Sequence, residues 1–179
     1  MREDKQYDVI NNKMLKNNEF YELIKDILNN EEFIKRKEYH HHENRSVYVH
    51  SIYVSYYSYK IAKFLHMDYT NTAIGGLLHD FYYNDWQKNP QKGIKNLHGF
   101  VHAGQAATNS NKHFPQLMNK KVDNIIRRHM FPLTIIPPKY FEGWIVTCVD
   151  KFVSLEVLKS PKQWYKYVGL AIIFKRRIR

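Results

Sequence analysis

Apolar residues recur along most of the chain with the period of an α-helix. One stripe of a first amphipathic helix over 18–30 carries Phe20, Leu23, Ile24 and Ile27. We find no stretch with the strict alternation of apolar and polar residues that is typical of a half-buried strand. The pattern therefore predicts an all-α fold, organised as a single-domain helical bundle.

Further helices follow from the same periodicity. A long second helix is predicted over 44–66 with Asn44 as its N-cap. A third is predicted to begin near Asp68 or Thr70 and to end at the pair His79–Asp80. A polar loop over 82–97 precedes later helices at about 102–113, 118–129, 139–159 and 161–176. Gly75–Gly76 is unfavourable inside a helix, so we expect close backbone packing there.

These elements divide the chain into three segments. We predict a helical segment over 1–43 packed on the core, a main domain over 44–160, and a C-terminal helix with a basic tail over 161–179. The tail is either a frayed, solvated end or an anion-binding arm. Tyr53, Tyr56 and Tyr59 are compatible with the core or with an exposed homodimer interface.

Composition restricts the class of protein. The chain has 179 residues, enough for one ordinary domain, and one cysteine, which excludes an intramolecular disulfide. The first residues lack the apolar core of a secretory leader, and the apolar run 168–174 is too short for a membrane span. We expect a cytoplasmic protein without a membrane partner. A net charge of +11 favours anionic ligands.

Polar residues interrupt the predicted helices at positions where core residues are expected. They are His50, His79, Asp80, His102, His129 and Asp150. Taken singly, each histidine is compatible with a core residue that bonds to the backbone, and Asp150 with a carboxylate that has a core donor. Imidazoles and carboxylates converging from separate helices instead predict a mixed nitrogen and oxygen metal site.

Four features in fixed order resemble the HD superfamily of metal-dependent phosphohydrolases. They are R-x-x-x-x-H at Arg45–His50, GLLHD at Gly76–Asp80, a later pair of helical histidines and VDK at Val149–Lys151, and the resemblance runs from about Arg45 to Ser160. The stretches HDFYYNDW and HMFPLT resemble a bacterial subgroup whose substrates are undefined.

The resemblance implies two metal ions that share Asp80. His50, His79, Asp80 and Asp150 would hold one ion, and Asp80, His102 and His129 the other. His98 is an alternative to His102. The ions would be iron, manganese or a similar divalent metal, with magnesium, zinc, nickel and cobalt as alternatives.

The implied reaction is hydrolysis of a phosphate ester or anhydride, of EC type 3.1 or 3.6, in a nucleotide-like substrate. Asp80, Lys151 and Arg45 would have catalytic roles. Arg45, Arg128 and Lys151 would contact the anion, and Tyr83 would contact the base, beside Tyr82 and Trp86. Each cation is also compatible with a solvated or paired surface charge, and the aromatic residues with core positions.

Two other functions remain open. The same ligands could hold the di-iron centre of an HD-type oxygenase, or the domain could bind nucleotide or nucleic acid without catalysis, using Lys175, Arg176, Arg177 and Arg179. His40, His41 and His42 form either a polar connection or an adventitious metal-binding run.

Overall fold

The structure is a computed structural model that describes residues 13–39, 46–83 and 98–154, with the side chains of 98–100 outside that description. The described chain is an all-α, single-domain bundle without β-strands, as the periodicity predicts.

The longer helices are α1 (Asn18–Leu28), α3 (Val47–Phe64), α4 (Tyr69–Leu78), α5 (His98–His113), α6 (Lys120–Arg128) and α7 (Phe141–Ser154). A short helix α2 (Glu31–Ile34) and 3₁₀ turns at Lys35–Glu38 and Pro115–Leu117 complete the described elements.

Side-chain caps define most helix starts. Asn17, Asp68 and Asn119 each accept a hydrogen bond from a backbone N–H in the first turn of α1, α4 and α6. The second long helix starts later than predicted, because Ser46 caps it by accepting from the Val49 N–H. Asn44, the predicted cap, lies outside the described residues.

Other boundaries differ by a few residues. Helix α5 starts at His98, four residues before the predicted start at 102. The short α2 and the two 3₁₀ turns have no counterpart in the prediction, because they are too short to show a period. The predicted loop beyond 83, the predicted end of α7 at 159 and the tail helix from 161 lie outside the described residues.

Helix α3 runs through the centre of the bundle and packs on α4 and α7. Its Tyr53 and Tyr59 are 5% and 1% exposed, so these two rings belong to the core and not to a dimer interface. On α1 the buried stripe is Phe20, Ile24, Ile27 and Leu28. Leu23, predicted for that stripe, is only half-buried.

The glycine pair of α4 allows the close packing that the sequence predicts. A Cβ on Gly76 would lie 3.0 Å from the Ser55 Cα of α3, and one on Gly75 would lie 2.7 Å from the Ile125 Cγ2 of α6. Both neighbours are therefore closer than a methyl group tolerates. This packing brings the end of α4, and with it His79–Asp80, beside the first turn of α3, where the ring centroids of His50 and His79 are 5.3 Å apart.

Within the described ranges, no helix combines the length and the apolar character that crossing a bilayer requires.

Candidate metal centre

The six polar residues predicted for the site lie together at the centre of the bundle. His50 comes from the first turn of α3 and Asp150 from α7, while His102 lies in the second turn of α5. His79 and His129 are the C-cap residues of α4 and α6. All are buried, the most exposed being Asp150 at 8%.

The two cap histidines have their ring orientation fixed by the backbone. His79 Nδ1 lies 2.8 Å from the Gly76 carbonyl oxygen and His129 Nδ1 lies 2.7 Å from that of Ile126. Because a carbonyl only accepts, Nδ1 must carry the proton in both rings. In the neutral imidazole the lone pair is then on Nε2, which points into the cluster, as in a metal ligand supported by its surroundings.

Asp80 divides the histidines into two pairs. Its Oδ2 lies 3.4 Å from His79 Nε2 and 3.9 Å from His50 Nε2. Its Oδ1 lies 3.3 Å from His102 Nε2 and 3.6 Å from His129 Nε2. Each carboxylate oxygen therefore faces a different pair of imidazoles, which is the arrangement of a bridging ligand.

Asp150 completes the half of the cluster that contains His50 and His79. Its Oδ1 lies 3.1 Å from His50 Nε2 and 3.5 Å from His79 Nε2. In the other half, the Nε2 atoms of His102 and His129 are 3.0 Å apart. Six side chains from five helices or helix ends thus present nitrogen and oxygen atoms to a common volume.

Burial and charge perturb the titration of these groups in opposite directions. Burial alone would lower the pKa of His79, but the negative charges of Asp80 and Asp150 outweigh it and raise this pKa to about 9. Burial, reinforced by the neighbouring His79 and His102, lowers the pKa of His129 to about 3. The histidines around Asp150 hold its pKa well below the ordinary value despite burial.

The donor atoms fit a metal ion. His50, His79 and Asp80 form one group of atoms able to hold an ion, and Asp80, His102 and His129 form another, with all atoms of a group within 4.8 Å of one another. His79, His129 and Asp150 form a third such group. Among the described residues, the buried His79 Nε2 has no hydrogen-bond partner. Imidazole and carboxylate donors in this mixture suit iron, manganese, zinc and similar ions.

The choice between His98 and His102 has a partial structural answer. His102 is 4% exposed and belongs to the cluster. His98 is the first residue of α5, and its side chain lies outside the described part of the chain.

The residues predicted to contact the substrate do not all lie at the cluster, in contrast to the six predicted metal ligands. Lys151 Nζ donates to the backbone carbonyl of His129 at 3.1 Å, so it lies next to the cluster. Arg128 ends α6 and is half-buried. Tyr83 is 36% exposed and contacts His113, while Tyr82 is buried and packs on His102 with 5.8 Å between ring centroids. Arg45, Trp86, the histidine run at 40–42 and the basic tail lie outside the described residues.

A cleft of about 550 Å³ lies along α5. Its walls include Tyr83, Gly104, Gln105, Thr108, Asn109 and Arg127. The polar wall of this cleft was not predicted from the sequence. Gln105 and Asn109 follow His102 by three and seven positions, the spacing of one helix face, so the position of His102 could have indicated them.

Comparisons of the chain with protein-family models, curated proteins and solved structures find no match.

Proposed function

We propose that this chain is a metal-dependent phosphohydrolase of the HD type that uses two metal ions. The observation that carries the proposal is the position of Asp80, whose two oxygens each face a separate histidine pair. A carboxylate between two imidazole groups is suited to bridging two cations. His79 and His129 are buried and carry the proton on Nδ1, which leaves the Nε2 lone pair of the neutral ring free for a metal ion. This arrangement favours metal binding over proton transfer alone.

In this proposal His50, His79, Asp80 and Asp150 hold one ion, and Asp80, His102 and His129 hold the other. Bound ions would lower the pKa of a coordinated water and neutralise charge on phosphoryl oxygens. The protein fixes the imidazoles through backbone carbonyls and excludes bulk water by burial. Lys151 acts as a positioning residue, because its bond to the His129 carbonyl holds the turn after α6.

The cleft along α5 supports a nucleotide-like substrate. Its volume of about 550 Å³ lies within the range of small-molecule sites. The cleft combines an exposed aromatic ring at Tyr83 with amide side chains and Arg127, which suits a base together with an anion. The overall charge of +11 would attract such a substrate.

Metal content and phosphate release test the proposal together. Metal-stripped protein is reloaded with manganese or ferrous iron and assayed on nucleotides and dinucleotide polyphosphates. We expect two ions per chain and release of phosphate or pyrophosphate. Asp80→Ala should lose both ions and the activity, whereas Asp150→Ala should retain one ion. The exposed Asp26→Asn serves as the matched control.

The other outcomes distinguish the alternatives. His40, His41 and His42 are replaced by alanine in every variant, so that this run does not contribute metal. Two bound ions without release, but with dioxygen consumption by the iron form, would favour the oxygenase. Nucleotide binding without turnover would favour the binding module. Absence of tightly bound metal from the wild-type protein would refute the proposed site.

A further inference from the structure

Arg36, in the 3₁₀ turn after α2, is a cation buried away from the metal cluster. The residue is 0% exposed. Among the described residues, none of its three guanidinium nitrogens has a hydrogen-bond partner. A buried charge normally requires paired hydrogen bonds, because desolvation is costly. Arginine nevertheless stays ionised in proteins.

Aromatic rings surround this guanidinium. Its Cζ lies 4.1 Å from the ring centroid of Tyr39, 5.3 Å from that of Tyr83 and 5.5 Å from that of Phe81. Such cation–π contacts offset part of the desolvation cost but satisfy no N–H donor in the guanidinium plane. We call these three rings, Tyr39, Phe81 and Tyr83, the aromatic cage. It stabilises the Arg36 cation and leaves the guanidinium N–H donors available to another group.

The rings around Arg36 and the cleft along α5 share Tyr83. This ring contacts the Arg36 guanidinium and also forms part of the cleft wall. Phe81 directly follows Asp80, and its carbonyl accepts a hydrogen bond from Asn109 Nδ2 at 2.9 Å in the same wall. Tyr83 is 36% exposed, and its hydroxyl makes a hydrogen bond with His113 Nε2, so the ring moves toward solvent only when this bond breaks.

We propose that Arg36 binds a phosphate-type oxyanion that enters from the cleft when the Tyr83 ring swings aside. The guanidinium fork matches a phosphate group with two parallel N–H donors. This inference rests on the proposed function. It assigns a substrate with two anionic groups, of which one is attacked at the metal cluster and the other is bound by Arg36. A polyphosphate chain or a twice-phosphorylated compound has that character.

The test measures anion binding in metal-stripped protein, so it does not depend on hydrolysis. Inorganic phosphate and pyrophosphate are titrated at constant ionic strength, and the melting temperature and calorimetric affinity are recorded. We expect both anions to stabilise the wild type. In Arg36→Met and Arg36→Lys we expect binding about tenfold weaker or more, because charged hydrogen bonds are lost or misplaced.

Lys37→Met is the matched control, since Lys37 lies in the same turn, carries the same charge and is exposed. Its affinity for pyrophosphate should equal that of the wild type. Equal weakening in Lys37→Met and Arg36→Met would show non-specific attraction and overturn the proposal. No anion-dependent stabilisation of the wild type would also overturn it.

Stability without anion provides an independent readout. If Arg36 has no internal counterion, Arg36→Met should melt at or above the wild-type temperature in anion-free buffer. The stretches 40–45 and 84–97 contain the acidic residues Glu43 and Asp85. The double substitution Glu43→Gln and Asp85→Asn is made in the wild-type chain and in the Arg36→Met variant. If it destabilises only the wild-type chain, an internal ion pair accounts for the buried charge of Arg36 and the proposal fails.

Failure of the two proposals can be told apart. If the wild-type protein releases no phosphate but binds anions through Arg36, only the catalytic proposal is refuted. Metal-dependent release that is insensitive to Arg36→Lys, together with unchanged pyrophosphate affinity, would refute only the role of Arg36.

Discussion

His79 shows how one buried residue would link protonation to the proposed metal binding. In the metal-free protein its pKa of about 9 lies above the ordinary value of 6.5, so the folded state binds this proton more tightly than the unfolded state. The resulting stability is present in full below pH 6.5 and is lost as the pH rises through about 9. A metal ligand must be deprotonated, so a metal ion competes with this proton.

We therefore expect manganese affinity to rise between pH 7 and pH 9 by up to about tenfold per pH unit. A histidine with an ordinary pKa would give almost no change in this range. Calorimetry in two buffers with different ionisation enthalpies should detect about one proton released per chain. An affinity that stays flat over this range would contradict the assigned charge state of His79.

At the scale of single residues, the sequence predicts which residues are candidate metal ligands better than it predicts how they are arranged or what surrounds them. His50 and Asp150 are recognisable because a titratable group occupies a helical position where an apolar residue is expected. The division of the histidines by the two oxygens of Asp80 was expected only from the resemblance to the HD superfamily, because no local pattern specifies how α4, α5 and α6 meet. Arg36 was missed because a charged residue in a short polar turn looks exposed from the sequence alone.

At the scale of the helices, the contact between α3 and α4 determines where the His79–Asp80 pair lies. A Cβ added at Gly76 would lie 3.0 Å from the Ser55 Cα, and Ser55 Oγ donates to the Ala73 carbonyl at 2.7 Å. The two helices are thus bonded as well as packed. A change in their separation would move two of the proposed ligands relative to His50.

We expect Gly76→Ala to destabilise the protein by about 1–3 kcal/mol, because the added methyl group meets backbone that cannot rotate away. Gly104→Ala is the control within a helix, since nothing lies within 4 Å of its added Cβ. That variant should stabilise by about 0.5–1 kcal/mol through helix propensity. Urea unfolding of both variants measures the difference, and similar effects at the two positions would disprove close packing.

Lys121 joins three helices by ion pairs. Its Nζ lies 2.9 Å from Asp68 Oδ2 at the start of α4 and 2.9 Å from Glu142 Oε1 in α7. Glu142 is only 6% exposed, so loss of Lys121 would leave a buried carboxylate without this cation.

We expect Lys121→Met to lower the free energy of unfolding by about 1–2 kcal/mol. Lys120→Met removes the same charge at an exposed neighbouring position and should change it by less than about 0.5 kcal/mol. Thermal or urea unfolding compares the two variants. Equal effects would mean that net charge, and not the ion pairs, determines the result.

The sequence predicts which segments form helices more reliably than it predicts the residues at which those helices begin and end. The stripe of α1 and the glycine pair of α4 are visible in sequence because their periods or residue types are distinctive. The cap of α3 was wrongly assigned to Asn44, because Asn44 and Ser46 are both good caps and only tertiary packing selects the register. Residues 31–38 form less than three turns, too few for a period to appear.

For the molecule as a whole, the proposed metal site is also a link between helices. A ligand that binds the folded state alone stabilises it by about 2.7 kcal/mol at a concentration one hundred times its Kd. Chelation should therefore lower the melting temperature of the loaded protein by about 5–10 °C. Asp80→Ala should melt at the same temperature with or without manganese.

This measurement needs no substrate, so it checks metal binding separately from catalysis. Asp26→Asn should show the full wild-type shift with manganese. A shift of equal size in Asp80→Ala would locate the stabilising metal elsewhere in the chain.

The distance along the chain between the ligands has a consequence for the life of the protein in the cell. His50 and Asp150, which lie 3.1 Å apart in space, are separated by 100 positions in sequence. A ribosome that has released only the first half of the chain has delivered neither His102 nor His129 nor Asp150. The proposed metal site is therefore complete only after α7 has been synthesised, and a product that ends before α7 would lack Asp150.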